Sequence, residues 1–326
     1  MRTFGLQNPV SFQIDTPGCQ PYRRGMDHSA TPGIERPQAG ALVELLKPIT
    51  WFAPMWAFAC GIVSSGQPIL AHWAVILAGV LVAGPLVCGT SQIVNDWYDR
   101  EVDAINQPER AIPSGRVPGN FAFWFACAWT ALSVAVATVL GVWGFVAALI
   151  ALLLAWLYSA PPARLKRSGW WGPGTVAVCY EGIPWFTGAA IMTASFPDWR
   201  IVTLAVLYSV GAHGIMTLND FKAVEGDRQH GVRSLPAVMG TRAAAWLSCA
   251  IMAVPQVVVI VLLYSWDRPY YGGAVAALLL VQFALMARLM KDPKRFAPWY
   301  NATGTTLYVS GMMISAFAVG SFLEAV

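Results

Sequence analysis

The 326-residue chain is short of charge. Asp, Glu, Lys and Arg make up 12% of it, against 56% hydrophobic residues, and the mean hydropathy is +0.53. A soluble protein of this length needs far more charge to keep its surface wet, so a polytopic helical membrane protein is expected instead. Paired cysteines are missing too. Cys60, Cys88, Cys127, Cys179 and Cys249 fall inside apolar stretches and Cys19 stands alone, with no CxxC pair. They read as small apolar packing residues, not as a disulfide or zinc framework. There is no basic tract either: Arg23-Arg24 is too short for a nucleic-acid site.

The first forty residues are rich in Pro and Gly, and no apolar core follows a basic start, which argues against a cleaved signal peptide. Residues 1–40 are expected to be a poorly ordered cytoplasmic tail, and residues 41–326 a membrane domain.

Beyond residue 47, apolar runs long enough to cross a ~30 Å hydrocarbon layer recur near 48–65, 72–94, 119–139, 141–158, 171–193, 201–219, 243–264, 270–289 and 300–322. The expected fold is therefore all-α, with nine transmembrane helices. Long unbroken runs exclude a membrane β-barrel. With the N-terminus inside, all Lys and Arg except Arg200 and Arg268 fall on cytoplasmic segments, as the positive-inside rule requires. Most acids fall there as well, after the second and sixth runs, so the chemistry is expected on that face.

Two acidic motifs stand out. The first is Asn95-Asp96-Trp97-Tyr98-Asp99, continued by Asp103. If the second helix runs through it, Asp96, Asp99 and Asp103 lie within ~60° of one another. Three carboxylates on one stripe repel each other and call for a cation. Arg100 and Arg110 are near, but a divalent ion does it better, and oxygen-only ligands suit Mg²⁺. The second motif is Asn219-Asp220 with Glu225, Asp227 and Arg228; Asp220 and Asp227, seven apart, would share a helix face. A four-helix offset between two Asn-Asp motifs suggests an internal duplication: two four-helix units plus one helix, with acidic ends facing across a central cavity. Facing carboxylates with arginines around them suit a Mg²⁺–diphosphate complex. Solvated acids capping helix ends would explain one such motif, but explain two matched ones poorly. The segment Tyr158 to Arg167, with Lys166, adds positive charge that either anchors the inner face or meets phosphate.

At these residues the chain resembles the UbiA-type intramembrane prenyltransferases. NDxxDxxxD, YSxPP at 158–162 and the second Asp motif occur in that family's order, and the likeness spans roughly residues 40–322. The resemblance implies nine helices around a cavity, Mg²⁺ dependence and transfer of a prenyl group. It makes Asn95, Asp96, Asp99, Asp103, Asp220 and Asp227 the Mg²⁺–diphosphate residues, with Arg110 and Lys166 contacting phosphate. Asn219, Arg228 and Tyr158 join them as candidate substrate contacts. Where many members carry a further Asp, this chain has Ala223.

The segments NDFKAVEGDR, DAINQPERAIPSGR and GIPWFTG look most like the chlorophyll and bacteriochlorophyll synthase branch, and WYNATGTTLYVSGMM like its bacteriochlorophyll side. That branch implies esterification of the propionate of bacteriochlorophyllide or chlorophyllide by geranylgeranyl or phytyl diphosphate. It also implies a bacterial inner or intracytoplasmic membrane and other pigment-biosynthesis proteins as partners. A quinone or haem prenylating enzyme, a cation transporter and a purely structural pigment scaffold are the alternatives, the transporter disfavoured by outer loops almost without ionisable residues. His213, seven residues before Asp220, is read as a polar tie to a neighbouring helix or as a contact to the pigment.

Overall fold

The computed structural model describes residues 36–229 and 231–324; the expected tail, for residues 1–35, lies outside them. Among the described residues the fold is all-helical, apart from one isolated parallel bridge, Ser168 with Arg233. Among the described residues, seven continuous stretches are long and apolar enough to cross a membrane: Ala39–Ser64, Ile69–Asn106, Phe121–Ser159, Trp199–Lys222, Thr241–Ser265, Pro269–Leu289 and Pro293–Leu323. The chain is an integral membrane protein.

Several stretches are composite. In the first, α1 (Ala39–Leu46) and α2 (Phe52–Ser64) meet at Lys47, whose φ of +43° breaks the helix ahead of Pro48. The second holds α3 (Trp73–Leu81), a π-turn over Val82–Cys88 containing Pro85, and α4 (Gly89–Asn106). Proline removes one helical donor, and the widened turn absorbs the defect. The third divides at Gly141, φ +70°, a conformation glycine adopts without strain. Its halves, α5 (Phe121–Ala137) and α6 (Gly141–Ser159), pack against each other.

Between the third and fourth stretches, α7 (Trp171–Ala177), a second π-turn (Val178–Gly182) and α8 (Ile183–Thr193) form one continuous helical run. Then follow α9 (Trp199–Asn219), two short helices α10 (Val224–Gln229) and α11 (Leu235–Met239), and the long α12 (Thr241–Ser265), α13 (Pro269–Leu289) and α14 (Pro293–Leu323). The last helix packs on α2, bringing the ends of the bundle together.

In lipid, helices associate through close packing and polar ties rather than through the hydrophobic effect. The α2–α8 crossing shows the first. A Cβ on Gly61 would fall 2.0 Å from the Trp185 carbonyl oxygen, and one on Gly188 2.2 Å from that of Phe58. The second appears where Gln256 and Gln282 exchange amide hydrogen bonds at 2.9 and 3.2 Å between α12 and α13. Tyr208 and Ser315 likewise join α9 to α14 at 2.8 Å.

Candidate active site

The first acidic motif rides on α4, which is free of Gly and Pro after Gly89 and stops at Gln107, ahead of Pro108. Asp96 and Asp103 share its inner face and are 6% and 8% exposed. Cations from three separate segments offset their repulsion. Lys47 Nζ lies 2.6 Å from Asp96 Oδ1. Arg110 Nη1 sits 2.7 Å from Asp103 Oδ2 and 3.4 Å from Asp96 Oδ1. Lys166 Nζ is 2.6 Å from Asp99 Oδ1. Burial pushes the Lys166 ammonium below the usual lysine range, and the Asp99 carboxylate opposes it. Burial works against the Arg110 charge too, but the bonds to Asp103 and Asp96 outweigh it and raise its pKa. Arg100 takes no part: it lies over the Trp97 ring at 4.1 Å and reaches Glu101 at 3.4 Å.

The second motif departs from the expected single helix. Helix α9 ends at Asn219, Asp220–Lys222 form a 3₁₀ turn, and Ala223 breaks the run before α10 begins at Val224. Asp220 and Asp227 therefore do not share a continuous helix face. Asp227 accepts from Ser234 Oγ at 2.5 Å. Arg228 Nε donates to the Ala237 carbonyl at 3.2 Å, and Glu225 pairs with Lys294 on α14 at 2.7 Å. Asn219 Oδ1 accepts from Asn301 at 2.8 Å.

A cavity of about 370 Å³ opens between the two motifs. Asn95, Tyr158, Lys166, Asn219 and Asp220 line its polar end; Ala83, Val87 and Ala151 line its apolar end. Both π-turns contribute wall residues, among them Cys88 and Tyr180. Asn95 Nδ2 and Lys166 Nζ both reach Ser159 Oγ, at 3.4 and 3.5 Å, tying α4 and the 160–170 loop to the end of α6. Asp96, Asp103 and Arg110 form the layer beside the cavity rather than its lining, and Asp227 and Arg228 lie on the adjoining loop.

Among the described residues no three or more His, Cys, Asp or Glu are already gathered as a metal cluster. The donors at the polar end are nonetheless the hard oxygens Mg²⁺ prefers. Among the described residues, no hydrogen bond or ion pair engages the Asp220 side chain, whereas Asp96, Asp99 and Asp103 all have cationic partners. An unpaired carboxylate at the rim of a half-apolar cavity fits a cation brought by a ligand.

His213 does not face this cavity. It lines a separate apolar groove of about 660 Å³ between α6, α7–α8 and α9. There Nε2 stands 3.1 Å from the Trp170 carbonyl, and Nδ1 lies 3.4 Å from Thr217 Oγ1. Three residues at or beside the cavity escaped the sequence reading. Lys47 counted only among the cytoplasmic basic residues, although a lysine just before a proline and a long apolar run is a signal. Gln92, four residues before Asp96, and Tyr180 are polar groups inside apolar runs, which is itself unusual.

The UbiA prenyltransferase family profile matches residues 50–307. The chain belongs to the UbiA prenyltransferase family. Among UbiA relatives, it is 57% identical to the "Bacteriochlorophyll synthase 33 kDa chain" of Cereibacter sphaeroides, over 87% of this chain and 94% of that one. It is 36% identical to "Chlorophyll synthase, chloroplastic" of Oryza sativa subsp. japonica, over 85% and 76%. The fold matches that of a UbiA homolog from Archaeoglobus fulgidus bound to GPP and Mg²⁺, with a TM-score of 0.68 at 22% identity, covering 86% of this chain and 99% of the other. At that identity the likeness concerns the UbiA fold alone.

Proposed function

We propose that this prenyltransferase esterifies the propionate of bacteriochlorophyllide with geranylgeranyl or phytyl diphosphate and releases diphosphate. The observation that carries the reading is a cavity between two separate acidic motifs, in a chain 57% identical to a protein named for bacteriochlorophyll synthesis. The lower identity to a chlorophyll synthase favours the bacteriochlorophyll side.

A propionic acid has a pKa close to that of Glu, ~4.3, so the acceptor is already an anion at neutral pH and needs no strong general base. The demand falls on the leaving group. Asn95, Asn219 and Asp220 would hold Mg²⁺ at the cavity rim, with Asp96, Asp99, Asp103 and Asp227 around them. Bound there, Mg²⁺ supplies charge neutralisation of the departing diphosphate. Lys166 and Arg110 add fixed positive charge, Tyr158 closes the side of the cavity, and Arg228 stands on the neighbouring loop. The apolar end excludes water from the allylic carbon, which would otherwise be hydrolysed.

Among the described residues, dividing the Phe121–Ser159 stretch at Gly141 and counting the Trp171–Thr193 run as a further span would bring the seven stretches to nine. This supports two four-helix units plus one, within a domain spanning 41–326 after a 40-residue tail. The basic residues support a cytoplasmic N-terminus and active site, in a bacterial inner or intracytoplasmic membrane.

The deciding experiment incubates membranes with both pigments and both diphosphates, with and without Mg²⁺. Bacteriochlorophyllide ester should form only when Mg²⁺ and an isoprenoid diphosphate are both present. Prenylation of a quinone precursor alone would overturn the reading.

A further inference from the structure

The diphosphate chemistry proposed above leaves two polar side chains of the cavity wall without a role. Gln92 lies one turn before Asp96 on α4, and Tyr180 faces it from the Val178–Gly182 π-turn; both line the cavity. Gln92 Nε2 donates to the Tyr180 hydroxyl at 3.1 Å, and the Cys88 thiol points to the same oxygen at 3.6 Å. The neighbouring Thr50 hydroxyl donates to the Lys47 carbonyl at 2.8 Å. The single thiol hydrogen is shared with the Thr50 carbonyl at 3.6 Å, so Gln92 is the firm donor to the phenol oxygen; the phenol can then turn its own hydrogen to a ligand oxygen, and the amide nitrogen carries a second hydrogen.

These donors sit where the polar rim gives way to hydrocarbon. An isoprenoid chain offers no hydrogen-bond acceptor, so donors along its path would lose water and gain nothing. They match a ligand that carries oxygen past the rim. The π-turn adds one residue to the helical repeat and so changes which side chains face the cavity, a device common at functional sites. The cavity, at about 370 Å³, lies at the small end of ligand sites.

We infer that Gln92 and Tyr180 form the subsite for the acceptor's carboxylate, a propionate-type arm reaching in from a bulky ring system held outside. This rests on the reading of the protein as an enzyme that esterifies a carboxylic acid. Gln92 and Tyr180 hold one carboxylate oxygen. The other forms a C–O bond to C1 of the isoprenoid as the C1–O bond to diphosphate breaks. The electron pair of that bond leaves with the diphosphate, and no proton changes hands. Neutral donors suit this role, because a lysine or arginine there would pair with the carboxylate and blunt its nucleophilicity.

The test measures KM for bacteriochlorophyllide and for the isoprenoid diphosphate in wild type, Tyr180→Phe and Gln92→Leu. Each substitution should raise the acceptor KM about tenfold, as expected for a hydrogen bond to a charged group, and leave the donor KM within about twofold. Binding of the acid and of its propionamide analogue, followed by pigment fluorescence in the presence of a non-transferable diphosphate analogue, gives a second readout. Wild type should prefer the acid, and Tyr180→Phe should lose that preference. Equal rises in both KM values, or an unchanged preference, would mean that the pair merely braces two helices and would overturn the subsite. If wild type forms no ester at all, the broader functional reading fails, a result distinct from ester formation that the variants leave untouched.

Discussion

Lys166 Nζ and Asp99 Oδ1 lie 2.6 Å apart, although 67 residues of chain separate them. The pair joins the loop after α6 to the middle of the first acidic motif, and Lys166 also faces the cavity. An ammonium held by a protein carboxylate on one side and open to a ligand on the other is placed to take a phosphate oxygen.

The pH dependence follows from that position. In the proposed role it is the protonated form of Lys166 that would meet diphosphate, and burial lowers its pKa from the ordinary 10.5. Donor binding should therefore be intact at neutral pH and weaken as pH rises through a value below that of a free lysine. The donor KM in a pH series should climb on the alkaline side. Lys166→Arg, whose charge persists, should flatten that limb, and Lys166→Ala should raise the donor KM about tenfold or more at neutral pH.

Asp96 separates catalysis from stability. Asp96→Asn should cut kcat at least about a hundredfold and also lower Tm, because Lys47 loses its 2.6 Å partner in a mostly buried setting. Adding Lys47→Met removes the stranded charge, so the double variant should recover most of the lost Tm in detergent. Its turnover should stay low. Recovery of activity along with Tm would show that Asp96 acts only as a structural partner.

Asp220 should behave differently, since no ion pair among the described residues depends on it. Asp220→Asn is expected to leave Tm unchanged or slightly higher while raising the Mg²⁺ concentration for half-maximal rate at least about tenfold. A Mg²⁺ titration of both proteins checks this. Chelation with EDTA should abolish wild-type turnover, and added Mg²⁺ should restore it.

Gly61 tests the scaffold beneath the site. Its missing side chain lets α2 approach the Trp185 carbonyl, and an added Cβ would fall 2.0 Å from that backbone oxygen. Backbone cannot move aside as a side chain can, so Gly61→Val should prevent α2 and α8 from closing. The yield of monodisperse protein after extraction should fall severalfold, whereas Gly226→Ala, where a Cβ meets nothing within 4 Å, should leave it unchanged.

Much of the outcome follows from local pattern. Low charge and long apolar runs specify an all-helical membrane protein, because lipid leaves no other way to pair the backbone. The spacing of Asp96 and Asp103 places them on one face because α4, without Gly or Pro past its start, holds a regular 3.6-residue repeat. The same arithmetic failed at Asp220 and Asp227, where the chain leaves the helix after Asn219 and the turn over Asp220–Lys222 resets the phase.

Partnership across the bundle was a matter for tertiary structure alone. No spacing rule connects Lys47 to Asp96, Lys166 to Asp99 or Gln92 to Tyr180, since each pair depends on which helices become neighbours. His213 shows the same division: periodicity set it two turns before Asp220, but the packing of α7 against α9 turned it toward Trp170 and away from the cavity. Sequence encodes what recurs along one helix, whereas a site assembled from several helices exists only once the bundle closes.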